Sequence, residues 1–145
     1  MATALIATSQ LLTKDMIPAL IHLVYQALQH KESLSHFPFT SRATVLCKAI
    51  MLLQRFHQLD PDSVGDMNEE LRRLLNSYNV TVVFSCVSVL HDFVIADPGQ
   101  YKDLVPFFTE MLMNIVNGKF DRNYDYDTLP APWMQMKIIR VCPSF

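Results

Sequence analysis

The chain has 145 residues, half of them hydrophobic and only 18% charged, with a formal net charge of −2. That much apolar content excludes an intrinsically disordered chain. The near-neutral balance excludes a general attraction to nucleic acid or to anionic lipid.

Met1 to Leu12 is apolar, but it has no basic leading stretch and meets Lys14 and Asp15 at once. That predicts the tail of a helix begun upstream rather than a signal peptide. Met16 to His30 carries Met16, Leu20, Leu23, Val24, Ala27 and Leu28, a stripe at helical spacing. Asp15 is placed to cap it, and Pro18 falls in the first turn, where its missing N–H costs nothing. A second helix is predicted over Ser41 to Leu59, with Leu46, Ala49, Ile50, Leu53 and Phe56 on one face and a stop before Asp60-Pro61. A third spans Met67 to Asn76. Asp66 and Glu69 approximate a capping box, Met67, Leu71, Leu74 and Leu75 point inward, and Glu69, Arg72 and Arg73 face solvent.

Val80 to Ala96 is rich in β-branched residues and would pass for a strand by propensity. Helix is predicted instead, because Asn79 is a good N-cap, the apolar run continues to Ile95, and every neighbour is helical. The uncharged run Val80 to Leu90 is too short for the roughly 18 apolar residues of a bilayer span. A fifth helix, Leu104 to Asn117, presents Leu104, Phe108, Met111, Leu112 and Ile115, with Gly118 as the residue that ends it. A polar, tyrosine-rich loop, Lys119 to Leu129, leads to Pro132, Trp133 and a sixth amphipathic helix through Val141.

The helices repeat. SRATVLCKAIMLLQRFHQLDP from Ser41 aligns without a gap on YNVTVVFSCVSVLHDFVIADP from Tyr78, an offset of 37 that matches Thr44 with Thr81, Leu53 with Leu90, Phe56 with Phe93 and Asp60-Pro61 with Asp97-Pro98. KDMIPALIHLVYQAL from Lys14 and KDLVPFFTEMLMNIV from Lys102 share Lys-Asp, two apolar residues and Pro. Asp66 to Asp103 is again 37 residues, while Asp15 to Asp66 is 51, the excess falling in the loop from His30 to Thr40. A helical hairpin at this period is the signature of an all-α HEAT or armadillo-like superhelix, here of about three repeats, approximately 14–61, 66–98 and 102–142. One hairpin cannot bury both faces, so each seals its neighbour. Neither end carries a polar capping repeat, so 1–145 is expected to be a solenoid fragment.

No catalytic site is expected. Cys47, Cys86 and Cys142 are scattered, form no CxxC pair, and are expected to be reduced, buried and inert. His22, His30, His36, His57 and His91 show no metal-ligand spacing. Asp121, Asp125 and Asp127 lack the glycine turn and distal Glu of a calcium loop. No metal and no cofactor are therefore expected. There is no nucleophile elbow and no glycine-rich phosphate loop. Trp133, the only tryptophan, is expected to anchor the sixth helix in the core, with Met111 and Met134 as core filler. Tyr124, Asp125 and Tyr126 are the candidate partner contact, because tyrosine is enriched at binding hot spots.

The run KDLVPFFTEMLMNIVNGKF, then YDYDTLPAPWMQMKIIRV, resembles the large-subunit trunk of the vesicle adaptor protein complexes. The PAPW turn followed by an apolar-basic helix is most similar to the epsilon-type adaptin of the fourth complex, with the alpha-type adaptin second. MIPALIHLVYQALQH and LLQRFHQLDP are similar to the same trunk, so the resemblance runs from about Ala4 to Val141. It implies a non-enzymatic scaffold in vesicle-mediated protein transport, partnered by the other adaptor subunits and held on membranes only indirectly. It implies no nucleic acid and no small-molecule substrate. It implies a cytoplasmic location, peripheral on trans-Golgi or coated-vesicle membranes. The alternative is a generic HEAT-repeat protein-binding module of the transport-receptor or coatomer kind. CPSF at the end departs from a continuing solenoid, and a family trunk runs much longer, so an internal fragment is expected.

Overall fold

The computed structural model describes residues 12–29 and 39–142, by backbone alone at 39–42, 65 and 66. These residues form six α-helices: α1 (Ile17–Gln29), α2 (Phe39–Leu59), α3 (Asn68–Leu75), α4 (Val80–Ala96), α5 (Val105–Val116) and α6 (Pro132–Val141). No β-strand occurs among them, only an isolated bridge between Tyr126 and Leu129. The expected helix over 1–12, the histidines at 30 and 36, and the long loop that follows α1 lie outside the described residues, Leu12 and positions 39 and 40 excepted.

Two seven-residue 3-10 segments, Pro61–Met67 and Pro98–Leu104, begin 37 residues apart, and each runs directly into a helix, α3 and α5. The α2 and α4 helices that precede them end at Leu59 and Ala96, the same offset. In both places Asp-Pro ends the helix, since Pro61 and Pro98 have no N–H to donate to a preceding turn.

These segments change how the next helix starts. The sequence points to Asp66 as the cap of α3, but the N-cap position falls on Met67, whose backbone is already helical (φ −91°, ψ −5°) and whose side chain makes no capping bond. Leu104 enters α5 in the same way. A helix fed by a 3-10 turn receives chain already coiled, so its first N–H groups need no side-chain oxygen. The Asp66 side chain itself lies outside the described residues. Asp15, likewise expected as a cap, sits inside a 3-10 turn, Lys14–Met16, ahead of α1. Met16 belongs to that turn and not to the α-helix, so it falls off the helix's inner face. Ile17 is 2% exposed where Met16, expected inside, is 42% exposed. Leu23 is exposed as well, while Val24, Ala27 and Leu28 are buried as expected.

The chain divides into two compact units, Met1–Val89 and Leu90–Phe145. In the first, α1 packs on α2 and on Pro61–Met67. All five residues expected on the inner face of α2 are buried, as are Met67, Leu71, Leu74 and Leu75. Burying a side chain the size of Phe56 contributes about 1.5–3 kcal/mol. Arg73 is exposed, as expected, and also donates from Nη2 to the Leu28 carbonyl at 2.8 Å, satisfying an orphan acceptor in the last turn of α1. Its Nε pairs with Glu70 at 2.7 Å.

Helix α4 matches its expected bounds, and Asn79 Oδ1 accepts from Thr81 N at 3.0 Å and Val82 N at 3.3 Å. Val82, Val83, Cys86, Val87, Val89, Leu90, Phe93 and Val94 are buried around much of its circumference. A segment enclosed on several sides needs every backbone group paired within itself, and helix does this where a lone strand cannot. Ser85 and Ser88 return their hydroxyls to the carbonyls of Thr81 and Phe84, both at 2.9 Å.

In the second unit α5 packs on α6. Phe93 and Tyr101 meet at 6.4 Å between ring centroids, and Phe108, Ile115, Met134, Ile138 and Val141 are buried.

Candidate functional site

The expected contact loop is held at both ends by the backbone. Helix α5 closes with Gly118 N donating to Ile115 O (3.0 Å) and Lys119 N donating to Asn114 O (2.9 Å), with Gly118 at φ +68°. These are the two bonds of a Schellman motif, which needs a left-handed residue there. The chain then forms a short 3-10 turn, Arg122–Tyr124, capped by the Asp121 carboxylate on Asn123 N at 3.0 Å. Tyr126 and Leu129 exchange two backbone bonds of 3.0 Å around Asp127 and Thr128, and Asp127 takes φ +56°, a conformation aspartate tolerates.

Ala131 completes the frame. It is a buried, left-handed residue (φ 38°, ψ 56°) at the N-cap of α6, a conformation costing about 1–2 kcal/mol for a residue with a Cβ. Three sets of hydrogen bonds hold it. Its N–H donates to Asp125 Oδ1 at 3.1 Å, its carbonyl accepts from Met134 N and Gln135 N, and Gln135 Nε2 donates to the neighbouring Pro130 carbonyl at 2.6 Å.

The three expected contact residues therefore share one loop and do three different things. Tyr124 is half-buried, with its ring edge-on to Phe120 at 6.0 Å. Asp125 positions the start of α6. Tyr126 points outward, 65% exposed, against the ring of Trp133 at 6.3 Å. Trp133 is 57% exposed, which corrects its expected place in the core. The inner face of α6 is Met134, Ile138 and Val141, and Trp133 is one step of about 100° off that stripe. That offset was the signal available in the sequence. Leu129, 56% exposed, adds a third apolar side chain. It and Tyr126 form a directly opposed bridge pair, whose side chains share a face.

Elsewhere the reactive residue types are separate. Cys86 is buried as expected, and burial, with the nearby Cys47 thiol adding, pushes its thiol well above the ordinary range. Cys47 is half-buried and Cys142 exposed, which corrects the expectation of three buried thiols. Met134 is buried and Met111 only half so. His22 pairs with Gln26 at 3.0 Å and His91 with Asp92 at 3.0 Å. Among the described residues no group of three His, Cys, Asp or Glu side chains could hold a metal, and no helix is long and apolar enough to cross a membrane.

The profile of the family described as "Adaptin N terminal region" matches residues 1–144. The chain belongs to the adaptin N-terminal family. Its fold class is accordingly the all-α HEAT and armadillo type. It is 31% identical over 95% of its length to the AP-4 complex subunit epsilon of Arabidopsis thaliana and 30% identical over 95% to the AP-4 complex subunit epsilon-1 of Homo sapiens. It is 27% identical over 72% of its length to the AP-2 complex subunit alpha-1 of Arabidopsis thaliana. This adaptin chain spans only 14% of the length of the plant epsilon relative, and 11% of each of the other two. No solved structure matches it.

Proposed function

We propose that this chain is a structural, non-enzymatic segment of a vesicle-coat adaptor subunit, acting in intracellular protein transport by scaffolding the other adaptor subunits. The observation that carries the reading is similarity to two epsilon subunits along 95% of the chain, against 72% for the alpha-type relative. The chain works in the cytoplasm, peripherally on trans-Golgi or coated-vesicle membranes, and meets the membrane through its partners. Its repeats run approximately 14–61, 66–98 and 102–142, a division supported by the 37-residue recurrence of helix ends and 3-10 segments. The contact loop around Tyr124, Asp125 and Tyr126 faces a partner. Exposed tyrosine next to exposed tryptophan is the composition of a binding hot spot.

Co-expression with the small and medium adaptor subunits tests the scaffold role. The epsilon relative, with its matching region exchanged for this chain, is expected to elute with both partners as one complex on size exclusion. Elution of the exchanged subunit alone, when the parent subunit assembles, overturns the reading.

A further inference from the structure

We propose that the Tyr126–Leu129–Trp133 face receives an extended segment of a partner protein that carries arginine beside an apolar residue. The inference rests on reading this loop as a contact surface and adds the chemistry of what it binds.

Tyr126 is bridged to Leu129 and stands against the Trp133 ring, and all three side chains are more than half exposed. Exposed tyrosine and tryptophan side by side, rather than scattered singly, have the composition of an interaction surface. The face is also pre-organised. The Schellman closure of α5, the Tyr126–Leu129 backbone pair and the Asp125–Ala131 bond hold it before any partner arrives, so little ordering entropy is lost on binding.

Charge selects the occupant. From Asn123 to Met136 the only charged residues are Asp125 and Asp127, and no Lys or Arg interrupts them. Asp121 and Asp125 are occupied by backbone N–H groups, whereas the Asp127 carboxylate, at the tip of the turn, has no partner among the described residues. A guanidinium fits both features: it pairs with a carboxylate and stacks on an indole or phenol face. The nearest bases in sequence are Arg122 before the segment and Lys137, one helical turn beyond Trp133.

Trp133 is the only tryptophan, so its fluorescence reports this face directly. A hexapeptide alternating arginine and leucine is titrated into the full chain at low salt, beside versions with glutamine or glutamate in place of arginine. A saturable shift of Trp133 emission is expected with the arginine peptide alone, fading as salt is raised. Asp127→Asn is expected to weaken it about three- to fivefold and Tyr126→Ala about tenfold. Both variants should keep the parent helical circular dichroism, because both side chains are exposed. Lys137→Gln removes the competing cation and is expected to tighten binding about twofold.

An equal response to the glutamate or glutamine peptide, or no response to any peptide, overturns the inference. So does loss of the response in Lys137→Gln, which would indicate an acidic occupant. Emission that changes with protein concentration before peptide is added would mean that a second copy covers the face, and overturns it too. Peptide binding without assembly would remove only the adaptor reading, and assembly without peptide binding only this one.

Discussion

Gly118 is the clearest case of one residue with one physical duty. The two bonds closing α5 require φ +68° at that position, and nothing lies within 4 Å of where a Cβ would stand. The cost of a side chain there is therefore conformational rather than steric. Gly118→Ala is expected to lose about 1 kcal/mol, read from the urea midpoint at an unchanged m-value. Cys86 carries a pH dependence instead. Burial holds its folded-state pKa above the unfolded value of about 8.5. Below that pH both states keep the proton and the contribution to stability is complete. As pH rises past it, the unfolded chain sheds the proton while the folded chain retains it, so folding weakens toward the folded-state value. The urea midpoint is expected to fall on the alkaline side, and Cys86→Ala to remove that part of the fall while lowering stability at neutral pH through the cavity it leaves.

Among the elements, α1 and α2 separate periodicity from packing. Both show an apolar stripe, but only in α2 does every expected inward residue become buried. The 3-10 turn at Lys14–Met16 takes Met16 out of the α-helical register, and Leu23, inside α1, lies at the open edge of a stripe centred on Val24, Ala27 and Leu28. The difference is measurable. Phe56→Ala is expected to cost about 3–5 kcal/mol and Leu23→Ala less than about 0.5 kcal/mol, compared by thermal unfolding. Equal losses would mean that Leu23 is covered. Helix α4 makes the complementary point. Its β-branched composition argues for strand, yet the Asn79 cap and burial around much of its surface select helix. The loop before α6 shows what periodicity leaves out. Asp125, read as a surface contact, spends an oxygen on Ala131 N, and that bond orients the helix whose first residues include Trp133.

At the scale of the molecule, the chain spans a short stretch of the much longer adaptor subunits it is similar to, and the scaffold role proposed for it is testable only with their partners present. Apolar periodicity, the Asp-Pro helix stops and the 37-residue recurrence are local properties, written into each stretch of chain by residue spacing. The sequence by itself therefore determined the all-helical class, the six helices of the described residues to within a few residues, the inner faces of α2 and α3, and the adaptin resemblance. Three features were settled only by the tertiary structure: which side of α1 is covered, that Arg73 reaches the Leu28 carbonyl, and that Trp133 stands beside Tyr126. Each depends on where a second segment, distant along the chain, comes to rest. A side chain's own spacing fixes its direction on the helix but not whether a neighbour lies in that direction.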